Sequence, residues 1–201
     1  MKENADLNSL FYPRWSDSCI WKPQEQGLFI LRISQEYPEG ESSSPSHVMN
    51  HIVLNEEGKD TWMLCTGENT VEEIVTTLLE RYEGEFQAIF SDVAEMISLL
   101  LKENFLTLEE SPCPVSPPLD ESVHIKRSDT IIAQVIEDNF VVMNMNTSEV
   151  HSFEKDTSTL WELCDGTHTV GDIMSQAANP EDTLFLLNFL VRLGMVETAD
   201  G

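Results

Sequence analysis

Apolar residues recur at helical spacing in two stretches, Phe90, Val93, Met96-Ile97 and Leu100-Leu101, and again Leu184, Leu187 and Leu190-Val191. Steps of three and four put such residues on one face of a helix. Ahead of each stripe the period drops to two. Leu28–Ile33 and Val48–Leu54 read as strands in the first half. In the second, Thr130–Ile136, Phe140–Met145 and Glu149–Phe153 read as a small antiparallel meander, broken by Glu-Asp-Asn and Asn-Thr-Ser turns. Between the two strands of the first half, Gln35–His47 is rich in Ser, Pro, Glu and Gly and reads as a flexible insertion.

Between strands and stripe lies a block that occurs twice. Trp62, Leu64, Cys65, Gly67, Thr70, Val71 and Ile74 reappear as Trp161, Leu163, Cys164, Gly166, Thr169, Val170 and Ile173, at a constant offset of 99. Self-similarity of this strength points to duplication. Downstream, Asp92-Val93 through Leu106 aligns with Asp182-Thr183 through Val196 at an offset of 90, so the second copy is nine residues shorter within the stretch matching Leu78–Ala88. The block predicts a short helix beginning near Glu56, a left-handed cap at Gly67, and a second helix opened by the Thr70-x-x-Glu73 capping box. Thr169-Val-Gly-Asp172 repeats that design.

Strands followed by helix, turn, helix and a third helix make each half a winged helix-turn-helix, and the chain an α+β protein with two such domains in tandem. Four prolines between Glu110 and Asp120 mark an extended spacer. The expected layout is an N-terminal extension over 1–26, a first domain over 27–109, a linker over 110–122 and a second domain over 123–201. The extension carries Leu10, Phe11, Tyr12, Trp15, Ile20 and Trp21. It either packs back on the first domain or docks on a partner.

Charge narrows the functions. The chain of 201 residues has 36 Asp and Glu against 11 Lys and Arg, a formal net charge of -25. Residues 1–122 hold 23 acidic and 7 basic side chains, residues 123–201 hold 13 and 4, so both halves share the acidity. Nucleic acid and anionic membrane surfaces draw their partners through Lys and Arg, and neither is expected here. The third helices offer only Lys102 and Arg192, too few for a recognition helix. No apolar run reaches the roughly 18 residues of a membrane span, and the N-terminus lacks a signal-peptide pattern, so the cytosol is expected.

Catalytic and metal chemistry find little support. Cys19, Cys65, Cys113 and Cys164 form no C-x-x-C pair and read as free thiols, with a disulfide framework as the lesser alternative. The best metal fragment is Cys164-Asp165-x-x-His168, with His151, but the first copy has Cys65-Thr66-x-x-Asn69 there. A shared metal design would repeat its ligands. No Gly-rich phosphate loop occurs. No cofactor and no enzymatic activity are expected.

Leu54-Asn55-Glu-Glu-Gly58, Trp62-x-Leu64-Cys65-x-Gly67-x-x-Thr70-Val71-x-Glu73-Ile74, Leu79-x-Arg81-Tyr82 and Asp92-Val93 resemble the PqqD-like family, the RiPP recognition elements. The second copy is similar through Leu163-Cys164-Asp165-Gly166 and Thr169-Val170-x-Asp172-Ile173, but carries Phe153-Glu154 where Leu-Asn is expected. The resemblance implies a protein without chemistry of its own, which captures the leader of a ribosomally made precursor as an added strand beside the third helix. It implies presentation of that leader to a modifying enzyme, often a radical-SAM maturase. Carried onto this sequence, the candidate edges are Met49, Asn50, His51, Ile52 and Val53, and Glu149, Val150, His151, Ser152 and Phe153. The candidate helix contacts are Met96, Leu100, Leu187 and Val191, for each of which core packing is the plainer alternative. Trp62 and Trp161 read as core rather than as interaction anchors. An acidic tandem winged helix is also similar to the ScpB-type subunits of condensin, which clasp a partner chain, and an enzyme subunit that kept the fold without the peptide is a third reading.

Overall fold

The computed structural model describes residues 9–36, 46–115 and 119–199. The middle of the Ser/Pro-rich insertion and part of the proline spacer lie outside these. The chain is mixed α+β with small antiparallel sheets. It gathers into two compact units, Met1–Arg32 with His51–Ser116, and Ile33–Asn50 with Pro117–Gly201.

In the first unit the order is β1 (Tyr12–Trp15), β2 (Cys19–Gln24), β3 (Gly27–Glu36), β4 (Ser46–Leu54), α1 (Glu56–Leu64), α2 (Val71–Leu79), α3 (Phe86–Lys102) and β5 (Leu106–Glu109). The outer part of the β3–β4 hairpin belongs to the second unit. Strands β2, β3 and β4 form one sheet in that order, and β1 pairs antiparallel with β5. In the second unit β6 (His124–Arg127), β7 (Ile131–Ile136), β8 (Asn139–Asn144), β9 (Val150–Glu154), α4 (Thr157–Leu163), β10 (Asp165–Thr169), α5 (Val170–Gln176), α6 (Pro180–Arg192) and β11 (Val196–Ala199) follow. Here β7, β8 and β9 form one sheet, and β6 lies between β10 and β11.

The helices begin where the sequence signals them. Asn55 caps α1 through its side chain, which accepts the Gly58 N–H at 2.9 Å. Both capping boxes are closed: Thr70 accepts the Glu73 N–H while Glu73 accepts the Thr70 N–H, and Thr169 and Asp172 do the same. Gly67 and Gly166 turn left-handed at φ +78 and +88, the geometry that glycine adopts without strain.

The segment before the first predicted strand is part of the first unit. Trp15, Cys19 and Ile20 are buried there. The indoles of Trp15, Trp21 and Trp62 meet at centroid distances of 4.4 to 6.0 Å, and Trp15 Nε1–H donates to the Trp62 carbonyl at 2.7 Å. Below them Leu28, Ile30, Cys65, Val71, Ile74, Val75, Ile97 and Leu100 exclude water almost completely. Ile125, Val142, Cys164, Val170, Ile173, Leu187, Leu190 and Met195 do so in the second unit.

The backbone bonds that tie these parts together come in matching sets. Val71 N–H donates to Phe11 and Glu72 N–H to Ser9; Val170 N–H donates to Val123 and Gly171 N–H to Glu121. Trp15 N–H donates to Cys65 and Ser16 N–H to Phe105; Arg127 N–H donates to Cys164 and Ser128 N–H to Met195. Each set binds the strand at the start of a unit to the turn before its second helix and to the end of its third.

Candidate functional site

Strands β4 and β9 each end a three-stranded sheet, and among the described residues no further strand pairs with either. An edge strand offers unpaired amides and carbonyls to another chain. In β9 the direction of those groups follows from the hairpin turn. Ser148 is left-handed at φ +60 and its N–H donates to Asn144. Asn144 N–H donates in turn to the Glu149 carbonyl. In an antiparallel pair the bonded positions alternate, so His151 and Phe153, opposite Val142 and Phe140, bond to β8. The amides of Val150, Ser152 and Glu154 therefore face the open side.

Side chains sort by the same period. His151 and Phe153 are half-buried, and the Phe153 ring meets Phe189 of α6 edge-on at 6.1 Å. Val150 and Ser152 stand on the opposite, exposed face. There Val150 lies opposite Met143 and Met143 opposite Ile132, an apolar row across all three strands in which Ile132 and Val150 are 54% and 59% exposed.

Glu149 sits at the head of this edge within a small polar cluster. Its carboxylate accepts the His47 backbone N–H at 2.8 Å, meets His47 Nδ1 at 2.7 Å and accepts the Thr147 hydroxyl. Burial pushes the carboxyl up, but the bonds from His47 and Thr147 outweigh it and hold it below the usual range. Next to it, burial holds His151 below the usual histidine range, opposed by the charge of Glu149, and its Nε2 is buried without a partner among the described residues.

At the first edge Met49, Asn50, His51 and Val53 are exposed and Ile52 packs on the core. The His51 ring stacks on Phe29 at 5.6 Å. On α3, Met96 is half-buried, Leu100 fully buried, and Leu99 and Phe86 are 50% and 41% exposed. On α6, Leu187 is fully buried and Val191 half-buried. Met49, His51 and Val53 thus share one face of β4, while Leu100 and Leu187 present no surface. Leu99, Phe86 and Phe189 were not singled out from the sequence. Leu99 interrupts the three-and-four rhythm of α3, and that departure is the signal of an apolar residue outside the core stripe.

The remaining chemistry is structural. Burial raises both the Cys65 and Cys164 thiols, Cys164 to about 12, which removes thiolate character at neutral pH. Asp165 is held low by its bonds to Thr167 and to His168, closing its own turn. Among the described residues no group of three His, Cys, Asp or Glu side chains is placed to hold a metal ion. Among them, too, no helix is long and apolar enough to cross a membrane.

No curated protein and no solved structure matches the chain. A family does match, over the segment that carries β4 and the three helices after it: residues 37–106 are similar to the family described as Coenzyme PQQ synthesis protein D (PqqD).

Proposed function

We propose that this protein is a non-catalytic chaperone that captures the leader of a ribosomally made precursor peptide by strand addition and presents it to a modifying enzyme. The observation that carries this reading is the position of the edges. In each unit the last strand before the helices is an open edge, and in the first unit that strand and its helices are the segment similar to the PqqD family. Added strands gain affinity from main-chain bonds and selectivity from alternate side chains. On β9 the main-chain groups are those of Val150, Ser152 and Glu154, with Phe153 and Phe189 beside them. The acidity of both halves favours a leader of net positive charge.

Matching hydrogen bonds, matching element order and the repeated block all support two fused winged-helix copies. They are not equivalent in this reading: β9 follows a tight turn, whereas β4 follows the long insertion, so the second copy holds the leader and the first docks on the enzyme or on its sister. The condensin-type adaptor has no observation in its favour.

The test uses the full chain and a displayed library of basic peptides. Hydrogen exchange with a selected peptide is expected to slow at Val150, Ser152 and Glu154, or along Met49–Val53. Selected peptides that bind yet protect neither edge would sink strand addition.

A further inference from the structure

The two units differ in what fills the space over their central tryptophan. In the first, Trp15 on β1 and Trp21 on β2 close over Trp62. The residue placed like Trp15 in the second unit is Arg127, since each donates its backbone N–H to the cysteine of the repeated block. The residue placed like Trp21 is Ala133, since Trp21 pairs with Ile30 and Ala133 with Val142, each two positions along from the start of an equivalent two-residue hairpin strand pair. Two indoles are thus replaced by an arginine and a methyl group. A cleft of about 480 Å³ lies there, lined by Ile131, Ala133 and Trp161, by the basic Lys126 and Arg127 and by the acidic Asp129 and Asp165, among others. Lys126 pairs with Glu197 at 3.8 Å, whereas Arg127 makes no ion pair among the described residues.

A second difference lies beside the first. In the first unit the backbone at Thr66 and Gly67 is covered by the chain's own proline-rich segment: Cys113 N–H donates to Gly67 at 2.8 Å and Val115 N–H to Thr66 at 3.0 Å, with Val115 packed on the core. A Cβ on Gly67 would lie 2.1 Å from the Cys113 carbonyl. In the second unit the same turn is β10, an outer strand whose far side pairs with no described residue, and a Cβ on Gly166 would meet only Lys126.

We infer that the second unit carries a peptide-binding site at β10 and this cleft, separate from the β9 edge, which takes an extended acidic residue–proline–aromatic segment of a partner protein. The residue before proline donates its N–H to the Gly166 carbonyl, as Cys113 does to Gly67. Proline keeps the segment extended and needs no acceptor. The aromatic residue donates to Asp165 and enters the cleft over Trp161, where the first unit places indoles. The acidic residue of the segment meets Arg127. Arg127, without an ion pair among the described residues, favours an acidic residue in the segment, opposite in charge to a basic leader.

The probe is acetyl-Ala-Asp-Pro-Trp-Ala-amide, titrated into the full chain and followed by NMR at the Asp165 and Gly166 amides and the Trp161 indole. All three signals are expected to move, with affinity falling about tenfold when the peptide's Trp is Ala. Arg127→Gln should erase the preference for Asp over Asn in the peptide. Ala133→Trp, which restores the first unit's filling, should abolish binding while the remaining spectrum stays folded. Unmoved signals at millimolar peptide, shifts confined to Val150 and Ser152, or undiminished binding by folded Ala133→Trp would each overturn the site. Leader capture at β9 is read separately, from exchange at the Val150, Ser152 and Glu154 amides with basic peptides, so this site can fail while that reading stands.

Discussion

Trp15 donates its indole N–H to the main-chain carbonyl of Trp62 across 47 residues of sequence, and the two rings stack at 6.0 Å. The bond locks the N-terminal strand onto the helix that precedes the repeated turn. Replacing Trp15 by Phe keeps most of the packing and removes the bond, an expected loss of about 1 kcal/mol. Trp15→Ala also opens a cavity and should cost about 3–5 kcal/mol. Urea denaturation of the full chain, resolved by probes in each unit, checks both values.

Gly67 and Gly166 are alike in φ and differ in surroundings. Alanine at Gly166 has room, so it should cost about 1 kcal/mol for left-handed backbone alone. Alanine at Gly67 collides with the Cys113 carbonyl as well. An expected loss of about 3 kcal/mol should come with faster proteolysis near Cys113. Equal costs at the two glycines would show that the segment does not press on the turn.

The alternation of β9 separates two kinds of proline. At Val150 or Ser152 proline removes an outward donor and leaves the β8 ladder intact, so the fold should hold while peptide capture is lost. At His151 proline removes a ladder bond, an expected destabilisation of about 1–3 kcal/mol. Thermal melts set beside peptide titrations of the three variants decide the matter.

Acid should weaken the second unit before the first. Burial depresses the folded pKa of His151, so folding disfavours its charged form. The associated stability is complete above the ordinary histidine range and is lost as pH falls through the depressed value. His151→Phe should flatten the dependence of the second unit's denaturation midpoint between pH 7.5 and 5.5. A midpoint equally acid-sensitive in that variant would remove His151 as the cause.

The capping boxes respond at lower pH. Glu73 is held down by its bonds to the Thr70 amide and hydroxyl, and Asp172 by those from Thr169. Their contribution is present at neutral pH and disappears as pH falls below the ordinary carboxylate range. Thr70→Ala and Thr169→Ala should each cost about 1 kcal/mol at pH 7, and less at pH 3. Circular dichroism melts at the two pH values measure this.

Helices and turns were legible because their signals are local. The Thr-x-x-acidic boxes and Gly67 with Gly166 each act within a few residues; α1 begins at Glu56 as expected, and α2 and α5 begin at their boxes. Strands β1 and β2 were not legible. Both are short, both contain a proline, and β1 exists because Leu106–Glu109 pairs with it from the far side of three helices. The one local hint was Ser16-Asp17, which returns as Ser128-Asp129 at an offset of 112. That differs from the offset of 99 farther on because the first copy spends thirteen more residues over its third and fourth strands and their connection together. Of the candidate site, the edges came from the resemblance to the PqqD-like family. The face of each third helix did not, since burial of Leu100 and exposure of Leu99 are decided by packing partners that sequence spacing alone does not identify.

Pairing β1 with β5, and β6 with β11, makes the first strand of each unit wait for its last. On a ribosome the chain emerges in one direction, so Tyr12–Trp15 spends the synthesis of some ninety residues without its partner strand. Through that interval two tryptophans and an open backbone are exposed to solvent and to other chains. The β1–β5 pair of the first unit can form only once Leu106–Glu109 has appeared. A ribosome stalled just before that point would hold a nascent chain with its helices made and its N-terminal strand still unclaimed, the form of this protein most exposed to chaperones and proteases.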